Sequence, residues 1–208
     1  MIYFFHSEGW IARIFTKFGQ LLIINTLILL SSIPIVTIGA AQTAGFHVLL
    51  QLIQGKEVAI VPRFLHVFRQ SFVKSSVVWI ALQLFVWLLG VNWLYYIQMN
   101  QLLNGWIIGL SISTIICFHL FQCVFFSLAR YNSSLRSILV TDVKLLIKHP
   151  FRSILLHSLT LLPFFLMLLS PYLFIFGLYS ACFFSISGWL YLRCVLLLAF
   201  FRKYEKVD

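Results

Sequence analysis

The chain has 208 residues, 62% hydrophobic and only 10% charged, with 15 Lys and Arg against 5 Asp and Glu. A soluble domain carries roughly 25% charged residues as a hydrated shell, so this composition excludes a water-soluble fold; with a mean hydropathy of +1.00 it indicates one integral membrane domain over residues 1–208. The net charge of +10 would point a soluble protein toward nucleic acid, but no basic block stands clear of the apolar segments, so positive charge held on the cytoplasmic face is the reading taken and no nucleic-acid partner is expected.

Three stretches contain no Asp, Glu, Lys or Arg: Phe18 to Gly55, Ser75 to Ala129, and Ser153 to Leu192. Each is about twice the ~20 residues that one spanning helix needs. Each also has a turn signal near its middle: Ile33-Pro34 through Gly39, Gln98-Met99-Asn100-Gln101 to Asn104-Gly105, and Ser170-Pro171. The expected fold is therefore an all-α bundle of three hairpins, with embedded helices over 19–34, 38–54, 76–97, 105–129, 153–170 and 172–200. The basic residues lie between and beyond these stretches, in the N-terminal arm (Arg13, Lys17), two inner loops and a tail that includes Arg193. By the positive-inside rule both termini are cytoplasmic. Five spans with an external N-terminus is the alternative.

The start imitates a secretory signal, with Arg13 and Lys17 before the apolar run Leu21 to Leu30 and then Gly39-Ala40-Ala41, but a retained first helix fits better because the following chain is itself apolar. The second helix carries a polar stripe, Thr43, His47, Gln51 and Gln54, at helical spacing. Unpaired polar groups cost several kcal/mol in hydrocarbon, so this helix is packed inside the bundle, re-entrant, or interfacial.

The first inner loop, 62–74, reads as an amphipathic helix: Pro62 can begin it, and Phe64, Leu65, Phe68 and Phe72 oppose Arg63, His66, Arg69, Gln70 and Lys74. The second, 134–148, sets Leu135, Ile138, Leu139, Val143, Leu146 and Ile147 against Arg136, Lys144 and Lys148. Such helices either lie in an anionic headgroup layer or dock a cytoplasmic protein, so Arg63, Arg69, Lys74, Arg136, Lys144 and Lys148 are the candidate contacts.

Asn25-Thr26-Leu27 followed by Ile33-Pro34-Ile35-Val36-Thr37-Ile38-Gly39-Ala40-Ala41-Gln42-Thr43-Ala44 resembles the YesL-like family of bacterial integral membrane proteins. The matching positions are Asn25, Pro34, Thr37, Gly39 and Ala44. The similarity continues through Arg63-Phe64, Phe68, Phe72, Lys74 and Trp79 and into the tail, Phe201-Arg202-Lys203-Tyr204-Glu205. Two departures are Ala40, where relatives often have Pro, and Ser71, where they often have Asn. The resemblance implies a multi-spanning cell-membrane protein. Because relatives are often encoded beside carbohydrate uptake systems, it also implies an accessory role there.

The spans hold no carboxylate, which argues against proton-coupled transport through a buried Asp or Glu. Asp142 falls in the second amphipathic helix, where Arg136 or Lys144 can neutralise it. His119 has Cys123 one turn later, but two ligands do not make a metal site, and a neutral, hydrogen-bonded histidine is expected. Four cysteines in apolar segments indicate no structural disulfide. No catalytic set, cofactor motif or metal site is seen, so a non-enzymatic protein is expected.

Small residues recur every fourth position at Gly105, Gly109, Ser113 and Cys117, with similar ridges at Ala41 and Gly45 and at Ala181, Ser185 and Gly188. These ridges allow close helix approach within the chain, or against a partner or a second copy in a homo-oligomer. Asn25, Gln83, Asn92 and Gln122 are expected to bond across helices. The leading expectation is an accessory or regulatory protein assembling with a carbohydrate transporter subunit. The alternative is a small permease binding a neutral solute through Asn25, His47, Gln51, Gln83 and Asn92.

Overall fold

Helices end in this protein where proline, glycine or a short polar side chain interrupts the backbone ladder. The computed structural model describes residues 10–99, 104–131 and 134–202, and every regular element among them is helical. In chain order these are α1 (Trp10–Ser31), a 3-10 turn (Ile35–Thr37), α2 (Ile38–Ile53), α3 (Ile60–Met99), α4 (Asn104–Arg130), α5 (Leu135–Lys148), α6 (Pro150–Leu169), α7 (Pro171–Ser180), a π turn (Ala181–Ser185) and α8 (Ile186–Arg202).

The α1–α2 corner follows from its sequence. Pro34 is extended (φ −74°, ψ 119°) and leads into the 3-10 turn. The Thr37 hydroxyl lies 2.5 Å from the Ser31 carbonyl and 2.7 Å from that of Pro34, tying the end of α1 to the corner. At its other end α2 closes in a Schellman motif. Gly55 takes the left-handed conformation (φ 74°), its amide donates to Leu52, and the Lys56 amide donates to Gln51. Ser134 caps α5 by accepting from the Ser137 amide. Pro150 and Pro171 open α6 and α7 at the first helical position. The second expected turn lies partly outside the described residues, which stop at Met99 and resume at Asn104.

Helix α2 is the buried centre. Its Ala40, Ala41, Ala44, Phe46, Val48 and Leu49 have no exposed surface, so the helix is packed inside the bundle, while its polar stripe runs from the buried Thr43 through the half-buried His47 and Gln51 to the exposed Gln54. Close approach needs glycine: a Cβ at Gly39 would meet the Ser75 carbonyl at 2.6 Å and the Trp79 Cβ at 2.8 Å. At Gly45 a Cβ would meet Leu190 at 2.8 Å and Ile28 at 2.9 Å. The Thr43 hydroxyl donates to Gly39 and accepts from Ser75, so this polar position is satisfied inside the core.

Among the described residues four helices are long and apolar enough to cross a membrane: Ile35–Ile53, Ile60–Ile97, Trp106–Arg130 and Pro171–Ala199; a shorter apolar helix runs over Phe15–Ser31. Exposed apolar side chains such as Trp87, Ile108 and Phe176 give these elements a lipid-compatible outer surface.

Four expectations are corrected. The 62–74 segment is not a separate amphipathic helix: it continues unbroken into the span as the 40-residue α3. At 1.5 Å per residue α3 is roughly 60 Å long, about twice the hydrocarbon thickness. Pro62 is tolerated because it sits in the first turn, where its missing N–H has no intrahelical partner to lose. On α5 the buried stripe is Ile138, Asp142 and Leu145 at helical spacing, while Ile147 points outward, 75% exposed. Asp142 thus lies on the packed face and pairs with neither Arg136 nor Lys144, both of which are exposed. Arg193 is buried rather than part of a tail, because α8 continues as helix to Arg202. Among the described residues the Gly105–Cys117 ridge does not pack along its length: Cys117 is buried, but no described atom lies within 4 Å of a Cβ placed on Gly109.

Candidate functional site

The polar stripe of α2 reaches the surface where α3 and the end of α4 converge on it. His47 follows Thr43 by one turn, and its Nδ1 lies 2.9 Å from the Ala129 carbonyl. A carbonyl can only accept, so Nδ1 carries the proton and Nε2 is left as an acceptor. That nitrogen receives Arg63 Nη2 at 2.9 Å and Gln51 Nε2 at 3.2 Å. The Arg63 guanidinium is thereby fixed by a neutral ring instead of a carboxylate, and its Nε is buried with no partner.

Arg63, Val67, Gln70 and Lys74 follow at helical spacing on α3 and line one wall of a cavity of about 250 Å³. Thr43 and His47 of α2 line the second wall; Ala129, Arg130 and Tyr131 line the third. The Arg130 guanidinium lies 5.5 Å from the centre of the Tyr131 ring. Among the described residues the lining contains Arg63, Lys74 and Arg130 but neither Asp nor Glu, and Arg63 also borders the neighbouring hollow of Glu57. Lys74 and Arg130 are the charges that bracket the uncharged stretch Ser75–Ala129, so folding brings both ends of that hairpin to one opening. Glu57 belongs to an adjoining hollow that also includes Gln51, Lys56 and His66.

A second polar group is enclosed between α4, α5 and α6. His119, Cys123 and Ser127 stand one turn apart on α4 and face Asp142. His119 Nε2 donates to the Asp142 carbonyl at 3.0 Å, and the Ser127 hydroxyl donates to Oδ1 at 2.9 Å. Oδ2 has no partner. Burial pushes the Asp142 carboxyl up to about 7, against the opposing hydrogen bond from Ser127. The His157 ring stacks on His119 with centroids 5.3 Å apart, and its Nδ1 bonds the Ser153 carbonyl. Among the described residues no three His, Cys, Asp or Glu side chains are grouped to hold a metal ion, and all four cysteines are free. The 138, 142, 145 spacing already places Asp142 with the apolar residues of α5; the exposed Ile147 obscured it.

Arg193 was also missed. Its guanidinium donates to the Gln122 carbonyl at 2.7 Å and lies 5.4 Å from the centre of the Phe46 ring, joining α8 to α4 and α2.

The five amides and imidazoles considered for a solute do not meet in one place. Asn25 is fully buried, and its Nδ2 donates to the carbonyls of Ala181 (3.1 Å) and Cys182 (3.0 Å) while Oδ1 accepts from the Ser187 amide (3.0 Å). These are backbone groups released by the π turn, so Asn25 completes a broken helical ladder. His47 and Gln51 bond each other beside the basic cavity. Gln83 lines a separate, mainly apolar groove with Trp93 and Phe121. Asn92 donates to Leu88 on its own helix. The expected cross-helix bonding therefore holds for Asn25, whereas Asn92 bonds locally and Gln122 uses its backbone carbonyl. Of the basic candidates, Arg63 and Lys74 meet at the cavity; Arg69, Arg136, Lys144 and Lys148 are exposed.

Long apolar helices with polar groups paired across them define an α-helical membrane protein. Residues 21–93 match the family described as protein of unknown function, DUF624, which contains the YesL-like membrane proteins. The match bears out the resemblance in Asn25, Pro34, Thr37, Gly39 and Ala44, all within the matched segment. The similarity noted in the tail lies beyond it, and Lys203, Tyr204 and Glu205 are outside the described residues. No curated protein and no solved structure matches the chain.

Proposed function

We propose that the protein is a non-enzymatic accessory or regulatory component of a carbohydrate uptake system in the cell membrane. In this reading six embedded helices form three hairpins with both termini cytoplasmic. The observation that carries it is the continuity of α3. A helix roughly 60 Å long cannot be contained in ~30 Å of hydrocarbon. Its basic half, with Arg63, Arg69 and Lys74, then lies outside the hydrocarbon together with the His47 end of α2 that Arg63 bonds, and presents the exposed Arg69 and Lys74; Arg136, Lys144 and Lys148 of α5 are exposed as well. A rigid charged face of this kind suits a cytoplasmic transporter subunit, and the link to sugars rests on the family resemblance. A permease would need its amides around one solute cavity, and they are dispersed.

Copurification from native membranes tests the reading. Recovery of identified sugar-transporter subunits, lost when Arg69, Lys144 and Lys148 are replaced by Glu, is the expected result. Solute movement by the protein alone in liposomes would overturn it. Reporter fusions at residue 1 and after Gln54 test the topology: both are expected to report the cytoplasm, and an external residue 1 would replace three hairpins with five spans.

A further inference from the structure

We infer that the groove between the apolar half of α3 and α4 is where a second copy of this chain packs, with the Gln83 side chains of the two copies bonded to each other. Gln83, Val86, Gly90 and Trp93 of α3 line it, and Thr114 and Phe121 of α4 face them. Trp93 Nε1 donates to the Thr114 hydroxyl at 3.2 Å, and that hydroxyl donates to the Leu110 carbonyl at 2.8 Å, so both are satisfied within the hairpin. Gln83 is not. It is half-buried on the groove, and among the described residues it has no hydrogen-bond partner. Lys74 is the last charge of α3, and Gln83 stands nine residues beyond it, about 13 Å deeper at 1.5 Å per residue. That is near the middle of ~30 Å of hydrocarbon, where water is absent and an amide without a partner is strongly disfavoured.

A lipid acyl chain can fill the apolar part of the groove but offers nothing to that amide. A second copy brings the matching group at the matching depth, because copies related by a two-fold axis along the membrane normal hold each residue at one level. An amide both donates and accepts, so two of them exchange two hydrogen bonds. The groove face of α3 also has the spacing for such a pair. Gln83, Val86, Gly90 and Trp93 alternate by three and four residues, the repeat along which two helices meet at a shallow angle, and a single amide in such a seam fixes its register. Gly90 lies two turns from Gln83 on this seam. No described atom stands within 4 Å of a Cβ placed on it, so the surface there is open to the close approach of a neighbouring backbone. The pairing does not depend on the uptake role, and its test requires no transporter.

Full-length protein, labelled at its C-terminus with donor or acceptor fluorophore in separate batches, is mixed in liposomes of phosphatidylcholine with phosphatidylglycerol. Energy transfer is then followed as added lipid dilutes the protein. Wild type is expected to show transfer above that of randomly distributed monomers, with two bleaching steps per particle. Gln83→Leu should weaken association by about tenfold, and Gly90→Ile, which fills the seam, by at least as much. Asn92→Leu removes an amide from the same helix that bonds the Leu88 carbonyl and lies outside the groove, so it should leave association unchanged. The two groove variants act at separate positions, so either one decides the matter if the other fails to fold. Transfer at the random level in wild type, or equal losses in Gln83→Leu and Asn92→Leu, overturns the pairing. Native mass spectrometry names the other occupants. A wild-type monomer that retains a lipid lost in Gly90→Ile assigns the groove to an acyl chain, and one that retains a different protein lost in Gln83→Leu assigns it to a foreign helix; either result also overturns the pairing.

Discussion

Arg63 donates to Nε2 of His47 across 2.9 Å, and this contact joins α3 to α2 while the other ring nitrogen joins α2 to α4 through Ala129. The imidazole is thus a relay of position among three helices. Replacing it with a carboxylate would cancel the charge that the cavity accumulates.

Substitution of His47 by Leu removes the acceptor for Arg63 and leaves the Ala129 carbonyl without its donor. A loss of about 1–3 kcal/mol is expected for each buried group left unsatisfied. Denaturant unfolding in mild detergent checks this, with His47→Gln, which can both donate and accept, recovering part of the loss. Equal stability of His47→Leu and wild type would show that the contact is incidental.

Asn25 makes three hydrogen bonds to backbone groups around the π turn. Asn25→Leu strands all three at the α1–α8 interface. Interhelical hydrogen bonds in membrane proteins average about 0.6 kcal/mol and reach about 1.7, so a total loss of roughly 2–4 kcal/mol is expected. Hydrogen exchange reads the same change locally: the Ser187 amide should exchange faster in Asn25→Leu, with amides in the middle of α4 less affected.

Glycines of the two hairpins should respond oppositely to alanine. A methyl group on Gly39 would stand 2.6 Å from a backbone oxygen, which cannot swing aside, so α2 and α3 must separate. Overpacking of this kind costs about 1–3 kcal/mol. No described atom stands within 4 Å of a methyl group on Gly109, and Gly109→Ala should be neutral or slightly stabilising, because alanine is the better helix former. A comparison of the two unfolding midpoints suffices. A destabilised Gly109→Ala would reveal a partner or second copy packed on that ridge.

Much of this architecture was legible in the sequence because the membrane leaves few options. The uncharged stretches marked the apolar helices, Pro34 and Pro171 marked corners, and the polar stripe of α2 required shelter that Thr43 and His47 then found. Less was legible where one helix crosses between environments. The charges of 62–74 suggested a separate surface element, yet nothing between Lys74 and Ser75 breaks a helix, and α3 runs straight through. Asp142 was assigned to a charged face by its neighbours in sequence, whereas its partner Ser127 lies on another helix. The basic cavity was hidden for the same reason: Arg63 and Lys74 could be placed on one face, but only the fold adds Arg130 and His47 to them.

Asp142 gives the folded protein a pH dependence of definite sign. Its folded carboxyl titrates near 7, against 3.8 for the ordinary group, because burial penalises the charged form. Between these values the folded state holds a proton that the unfolded chain has released, so the Asp142 contribution to stability falls as pH rises. It is fully present below about pH 4, declines toward about pH 7, and is constant above. Asp142→Asn keeps an oxygen for Ser127 and cannot ionise. The stability difference between wild type and Asp142→Asn, measured by denaturant unfolding from pH 4 to 8, isolates this group from the histidines common to both. Wild type is expected to lose ground to the variant across that interval. A difference that is flat in pH would mean that Asp142 ionises as readily in the folded protein as in the unfolded chain.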